Sequence, residues 1–168
     1  AIGKGRAMKH TTSQTQAVSQ QSFVAAMGAA ATGVSVVTTQ GVAGQFGITV
    51  SAISSVSAEP PLLLVCVNRK NPSVAAITQN GRFAVNILSD QQSDIAKVFA
   101  GRPPHGEAYE FRDSHWSESA TGMPALKHAA AFFDCEIESI HDAGTHRIFI
   151  GRVVDANRGS AVPLIYAN

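Results

Sequence analysis

The chain has 168 residues, enough for one globular domain with a sizeable core. Its 13 Lys and Arg residues nearly balance its 12 Asp and Glu residues, and only 15% of residues are charged, so nucleic acid is not an expected partner. The hydrophobic fraction of 45%, with so few charges, favours an oligomer in which another subunit covers part of the apolar surface.

The hydrophobic runs are too short to cross a membrane. The longest, at 61–67, is far below the roughly 18 residues that a spanning helix needs. The N-terminal stretch has basic residues but lacks the apolar centre of a secretion signal. Cys66 and Cys135 lie inside apolar runs and suit a reducing, cytoplasmic setting, although the sequence leaves a disulfide between them open. We therefore expect a cytoplasmic protein without membrane contact.

The pattern of apolar and turn-forming residues predicts a lead-in followed by one domain. Residues 1–20, whose second half is rich in Gln, Thr and Ser, are expected to be flexible, and the domain is expected to occupy 21–168. Its predicted elements are a helix from Gln21 to about Thr32, strands at 34–39 and 45–51, a strand at 62–67, a helix opened by Asn71-Pro72 and ended by Gly81, a strand at 83–88, a helix from Ser89 to Gly101, an irregular segment at 101–124, and strands around 133–137 and 148–154 joined by a turn at 143–144.

This order of elements predicts a mainly β fold with short helices, arranged as an antiparallel barrel whose ends the helices plug. No strand is followed by Gly-x-Gly-x-x-Gly, and Gly-Lys-Ser/Thr does not occur. A Rossmann domain and a P-loop nucleotide site are therefore disfavoured.

Hydroxyl residues are concentrated between Gly47 and Ser57. Thr49, Ser51, Ser55 and Ser57 fall on one parity, so in a strand they would share one face. Such a face suits a planar heterocycle with hydrogen-bonding edges and a phosphate tail. The alternative is the solvent-facing side of a strand, which side-chain chemistry alone favours.

Several blocks of sequence together resemble the short-chain flavin reductase family. Within that family they are most similar to the reductase components of two-component 4-hydroxyphenylacetate 3-monooxygenases. The blocks are Thr32-Gly33-Val34, residues 43–49, residues 54–57 with Pro60-Pro61, residues 64–68, residues 83–88, Phe99-Ala100-Gly101, Gly144-Thr145-His146 and residues 163–166.

The resemblance implies an FMN-binding split barrel, a homodimer, and reduction of FMN or FAD by NADH or NADPH, with reduced flavin delivered to a separate oxygenase. It also implies that Ser73, at the start of the Asn71 helix, directs its hydroxyl at a flavin phosphate. The other flavin-contacting positions that it implies are Thr32, Val34, Gln45, Thr49, Val50, Ser51, Ser55, Cys66, Val67, Asn68 and Phe99.

The resemblance assigns His146 to nicotinamide binding, in a turn where many relatives have Asp in place of Thr145. Without the family, a lone His at a strand start is more often a structural residue. Hydride transfer needs alignment of two rings rather than a side-chain acid or base, so no catalytic residue in the strict sense is expected. No metal site is expected either, because Cys-x-x-Cys and His-Glu-x-x-His are absent from the sequence.

Two other functions stay open at this stage. One is a flavin carrier or sensor of the same fold without turnover, which Thr145 favours to some extent. The other is an oxidase of the pyridoxamine-phosphate type, against which the blocks between Gly44 and Asn68 argue.

Overall fold

A computed structural model describes residues 16–167 of the chain. The described part is mostly β, with short helices, which confirms the predicted class. Its elements are α1 (Gln20–Met27), β1 (Thr32–Gly33), β2 (Ser35–Thr39), β3 (Phe46–Val50), β4 (Ile53–Ala58), β5 (Pro61–Asn68), α2 (Ser73–Asn80), β6 (Arg82–Ile87), α3 (Ser93–Phe99), β7 (Trp116–Glu118), β8 (Pro124–Leu126), β9 (Ala131–Ala143), β10 (His146–Arg158) and β11 (Ile165–Tyr166).

The main sheet has seven strands in the order β3-β2-β6-β9-β10-β5-β4, and all of its pairings are antiparallel. Its two edges, β3 and β4, are consecutive in the chain and are joined by Ser51 and Ala52 alone. Three residue steps span at most about 11 Å, so the ends of both edges lie close together. The sheet therefore curls round on itself and stays split between β3 and β4.

Two hydrophobic clusters cover the two faces of this sheet. Residues alternate across a strand, so Val37 on β2 joins the cluster with Phe83 and Phe149, whereas Val36 joins the one with Phe99 and Trp116. Because both faces are covered, all five residues of β2 are buried. Strand β2 is therefore enclosed on both faces, although it lies next to the edge strand β3.

The predicted helix ends agree in part with the local hydrogen bonds and backbone angles that the structure shows. The Asn71 Oδ1 atom accepts a hydrogen bond from the Ser73 N–H at 2.9 Å, and Gly81 ends α2 with φ of 71°. The Ser89 N–H donates to Gln92 Oε1 at 3.0 Å, as predicted for a capping box, yet α3 begins only at Ser93. The predicted start of that helix was therefore four residues early.

The N-terminal prediction is tested only in part. Residues 1–15 of the expected flexible lead-in lie outside the described residues. Helix α1 begins at Gln20, one residue earlier than predicted, and none of its residues is buried. Within residues 16–167, no helix is long and apolar enough to span a membrane.

Three further expectations concern the cysteines, the segment 101–124 and the turn between β9 and β10. Both Cys66 and Cys135 are free thiols, so the disulfide left open by the sequence is not formed. The segment 101–124, predicted to be irregular, contains the short strand β7, which pairs with β8. The turn between β9 and β10 places Gly144 at φ of 56°, as the predicted turn requires.

Candidate functional site

A cavity of about 500 Å³ lies at the edge strand β3. Helix α3 and the C-terminal segment that contains β11 form its other sides. Its lining residues are Val34, Thr49, Val50, Ser51, Ser93, Ala96, Lys97, Ala100, Arg102, Leu164, Ile165 and Tyr166.

The cavity has an apolar wall and a polar rim. Val34 and Val50 are buried side chains that form the wall, whereas Ser51 and the cations Lys97 and Arg102 are exposed at the rim. Within residues 16–167, strand β3 pairs with β2 alone, so its outer edge offers backbone N–H and C=O groups to a ligand. This combination can hold a flat apolar body, bind its polar edge and attract an anionic tail.

Four of the residues implied by the resemblance lie together in this cavity: Val34, Thr49, Val50 and Ser51. The Thr49 hydroxyl donates to the Ala96 carbonyl at 2.8 Å, which ties β3 to α3. Thr49 therefore positions the two walls relative to each other. Ser51 lies beyond the end of β3 with its side chain exposed.

The predicted residues Cys66, Val67 and Asn68 lie on strand β5 and do not line the cavity. The Cys66 N–H donates to the Ala52 carbonyl at 3.0 Å, which places Cys66 beside the link between the two edge strands. Val67 is buried, and Asn68 is exposed opposite His146 in the register of β5 and β10. Burial raises the pKa of the Cys66 thiol, so this group stays protonated at neutral pH and offers an apolar contact rather than a nucleophile.

His146 is the first residue of β10 and pairs with Asn68, the last residue of β5. The turn before it is held by several hydrogen bonds. The Thr145 hydroxyl lies 2.9 Å from His146 Nδ1, and the Thr145 carbonyl accepts from the Arg69 N–H at 3.0 Å. The Arg69 guanidinium also donates to the Gly144 carbonyl at 3.3 Å. The imidazole is therefore an exposed group on an ordered turn, about 7 Å along β5 from Cys66.

Two arginines share one carboxylate beside this turn. Arg147 makes two hydrogen bonds to the Asp142 carboxylate, at 2.6 and 3.0 Å, and Arg69 lies 3.6 Å from the same group. The Arg147 hydrogen bond holds the pKa of the Asp142 carboxyl below its ordinary value and raises the pKa of Arg147. Both groups are charged at neutral pH, and they fix the strand pair next to His146.

The hydroxyls between Gly47 and Ser57 do not form one face, so that expectation was wrong. The strand breaks at Ser51 and Ala52, which puts Thr49 on one edge of the sheet and Ser55 on the other. A register shift between Ser55 and Ser57 breaks the alternation again. Hydroxyl parity failed because it assumes a continuous strand.

The remaining predicted residues lie outside the cavity. Thr32 pairs with Tyr166 at the rim, and Gln45 bonds to Gln40 in the turn before β3. Ser73 is 1% exposed, and its hydroxyl has no hydrogen-bond partner among the described residues. Phe99 is fully buried and packs behind β3, with its ring centroid 4.8 Å from that of Phe111.

The cavity also includes residues that sequence reasoning had not assigned to the flavin. Ser93 and Lys97 lie on α3, Arg102 follows it, and residues 164–166 close the opposite side. Two of the blocks that carry the family resemblance, 99–101 and 163–166, adjoin these positions. Those blocks were a usable signal, although neither contains a pattern of ligand-binding side chains on its own.

The residues present fit a flavin nucleotide. A tricyclic ring needs an apolar slot with hydrogen-bonding groups along one edge, and its phosphate needs cations at the end of the slot. The apolar slot is formed by Val34 and Val50, and the open edge of β3 supplies the hydrogen-bonding groups. The cations are Lys97 and Arg102 at the rim.

Comparisons with known proteins agree with this geometry. The family profile described as flavin reductase like domain matches residues 27–168. The chain is 40% identical over 152 residues to the FMN reductase (NADH) RutF of Bradyrhizobium diazoefficiens, an alignment covering 90% of this chain and 83% of that protein. Its fold is similar to that of the flavin reductase PheA2, with a TM-score of 0.81 and 34% identity over 89% of this chain and 94% of that one.

A third similar protein is BorF, the flavin reductase component of a bacterial two-component tryptophan halogenase. The TM-score is 0.79 and the identity 33%, covering 89% of this chain and 94% of BorF. The family match spans most of the chain, and both structures are similar to this chain in fold as well as in sequence. The chain therefore belongs to the flavin reductase like domain family.

Proposed function

We propose that this protein is an NADH-dependent flavin reductase that takes FMN as its preferred flavin. The observation that carries the proposal is the cavity beside β3, where an apolar wall, an open strand edge and a cationic rim meet. The name of the RutF relative, FMN reductase (NADH), supports the choice of FMN and NADH over FAD and NADPH.

The residues of the cavity act by binding and orienting. A bound flavin supplies the ring that accepts a hydride from the nicotinamide. Val34 and Val50 hold one face of that ring and exclude water from it, while the backbone of β3 bonds its polar edge. Thr49 fixes the width of the slot, because its hydroxyl bond to Ala96 ties β3 to α3.

His146 and Asn68 are the side chains proposed to receive the nicotinamide. They are paired across β5 and β10, and both are exposed. A carboxamide has a carbonyl and an amino group, and an imidazole ring nitrogen can donate to one or accept from the other. Alignment of the two rings is the whole chemical task of the protein here.

Two partners belong to the proposal. One is a separate oxygenase that consumes reduced flavin. A separate flavin-consuming partner is supported by BorF, the reductase component of a two-component halogenase, and an oxygenase by the similar structure of the styrene monooxygenase flavin reductase. The other is a second copy of this chain, supported by the exposed apolar side chains of α1 and by the low charge of the sequence.

The direct test is oxidation of NADH followed at the nicotinamide absorbance band, with no flavin, with FMN, with FAD and with riboflavin. We expect oxidation that depends on flavin and is fastest with FMN, and a slower rate when NADPH replaces NADH. Absence of flavin-dependent oxidation with either dinucleotide would contradict the proposal. If FMN were still bound in that case, a carrier or sensor would be the better description.

The nicotinamide assignment has its own test. A His146→Ala variant is expected to raise KM for NADH while FMN binding, followed by flavin fluorescence, stays unchanged. A matched control is His141→Ala, because His141 is exposed on the neighbouring strand β9 and its Nε2 bonds only to the nearby Ser139 hydroxyl. An unchanged KM in His146→Ala would remove that residue from the site.

A further inference from the structure

Two cations stand side by side at the rim of the cavity. Lys97 lies in the last turn of α3, and Arg102 follows the turn at Gly101, where φ is 76°. The Arg102 N–H donates to the Lys97 carbonyl at 2.9 Å, which brings the chain back so that both side chains line the same opening. None of the described residues lining this cavity is acidic.

The charge of Lys97 is already compensated. Its ammonium group lies 2.8 Å from the Asp94 carboxylate, one turn back on α3. The Lys97 hydrogen bond holds the pKa of the Asp94 carboxyl below its ordinary value, so the pair is ionised at neutral pH. Asp94 lines the neighbouring cavity on the other side of the helix rather than this one.

The charge of Arg102 is not compensated. Within residues 16–167 its guanidinium enters no ion pair, and its side chain is exposed. A guanidinium offers a planar set of donors that matches two phosphate oxygens at once. The opening therefore carries one free positive charge beside a slot of apolar side chains.

We propose that Arg102, assisted by Lys97, forms a phosphate-binding subsite at the rim of this cavity. The inference rests on the proposed function, since it takes the cavity to be the flavin slot. The ligand group is a phosphate ester or pyrophosphate, which either the flavin nucleotide or the nicotinamide dinucleotide can supply. The subsite makes the protein prefer FMN over riboflavin if the flavin supplies the phosphate, and it strengthens NADH binding if the dinucleotide supplies it.

The test compares ligands with and without phosphate. Dissociation constants for FMN and for riboflavin are measured by quenching of flavin fluorescence, and KM for NADH is measured with riboflavin as acceptor. In Arg102→Gln we expect FMN binding to weaken by about fivefold to tenfold while riboflavin binding stays unchanged, if the flavin supplies the phosphate. If the dinucleotide supplies it, KM for NADH rises by a similar factor instead.

Three variants sharpen the result. Arg158→Gln removes an exposed arginine that lines a different cavity and should change none of these constants. Arg102→Lys keeps the charge and should retain most of the FMN preference. Asp94→Asn frees the charge of Lys97 and should tighten phosphate binding by about twofold to threefold, an effect that salt should reduce.

The subsite would be overturned if Arg102→Gln left both the FMN-to-riboflavin affinity ratio and KM for NADH unchanged. It would also be overturned if Arg158→Gln had the same effect as Arg102→Gln. A failure of the proposed function is a different result, namely FMN binding without NADH oxidation in the unaltered protein. The affinity ratio does not depend on turnover, and if the unaltered protein does not oxidise NADH, the dissociation constant for NADH, measured by quenching of protein fluorescence, replaces its KM in the test.

Discussion

At the residue scale, the hydroxyl of Thr145 is the group that orients His146. It lies 2.9 Å from His146 Nδ1, and the backbone of Thr145 is itself fixed by the Arg69 N–H. A carboxylate at this position could only accept a hydrogen bond from the ring, whereas a hydroxyl can donate or accept. The other ring nitrogen is thereby kept in one direction, which suits the role in nicotinamide binding that we propose for His146.

Replacing that hydroxyl should affect dinucleotide binding alone. Thr145→Val keeps the shape but loses the hydrogen bond, so we expect KM for NADH to rise about threefold to tenfold with little change in kcat. Thr145→Ser should behave as the unaltered protein does. Equal losses in both variants, or no change in Thr145→Val, would mean that the hydroxyl does not orient the ring.

The thiol of Cys135 predicts a loss of stability in alkaline solution. Burial, followed by the nearby charge of Asp134, raises the pKa of Cys135 from 9.0 to about 12. Between these values the folded protein keeps the proton and the unfolded chain releases it, so the free energy of unfolding falls as pH rises. The contribution is at most about 1.4 kcal/mol per pH unit.

Urea unfolding between pH 8 and 11 measures this contribution. Cys135→Ala should lower the stability at every pH, because it leaves a cavity, but its stability should fall less steeply above pH 9. Parallel curves for the two proteins would show that the thiol is not the group responsible.

The family blocks identified some of the residues that line the cavity, but they also included a residue that only packs behind it. Val34 and Thr49 lie in blocks that carry the family resemblance, Val50 and Ser51 directly follow one of them, and all four line the cavity. Phe99 belongs to such a block as well, but its ring packs against Phe111 and Trp116, behind the wall. Membership of a block does not tell whether a side chain contacts the ligand or packs behind the residues that do.

At the element scale, Gly47 on the edge strand β3 packs directly against two aromatic rings, with no space for a side chain. A Cβ atom on Gly47 would lie 2.7 Å from the ring of Phe99 and 3.0 Å from that of Phe111. Phe99 cannot move aside, because its ring also packs against Trp116 at a centroid distance of 5.2 Å. The position requires glycine for space rather than for an unusual backbone angle.

Gly47→Ala should therefore destabilise the protein by about 1–3 kcal/mol, the usual range for overpacking a filled core. It should also weaken FMN binding, since β3 would shift away from α3. Gly33→Ala is the matched control, because nothing lies within 4 Å of a Cβ atom there. The comparison is made by urea unfolding, and equal stability of the two variants would contradict the packing argument.

Elements set by local chemistry were predictable, and elements set by distant pairing were not. The Asn71 cap, the Gly81 stop and the Gly144 turn determine α2 and the β9–β10 hairpin within a few residues. Strand β11 has two residues, and it exists because it pairs with β1 across most of the chain length. The break at Ser51 likewise arises because the whole sheet curls round on itself, and the alternation of residues in the sequence does not predict this.

At the scale of the whole molecule, helix α1 has too little contact with its own chain to be stable alone. It has eight residues, whereas isolated helices shorter than about 12–15 residues are marginal in water. Phe23, Val24 and Met27 are 54–60% exposed, and the helix buries none of its residues. An exposed apolar face on a short helix is expected when a second copy of the chain covers it.

The oligomeric state tests this directly. We expect light scattering during gel filtration to give the mass of two chains, and the triple variant Phe23→Ser, Val24→Ser, Met27→Ser to move towards one chain as the concentration falls. Each serine removes apolar area that the interface would bury, at roughly 25 cal/mol per Å². Val42→Ser is the control, since Val42 is 86% exposed in a turn away from α1. A triple variant that stays dimeric would place the interface elsewhere on the molecule, whereas a monomer that still binds FMN would show that one chain alone forms the flavin slot.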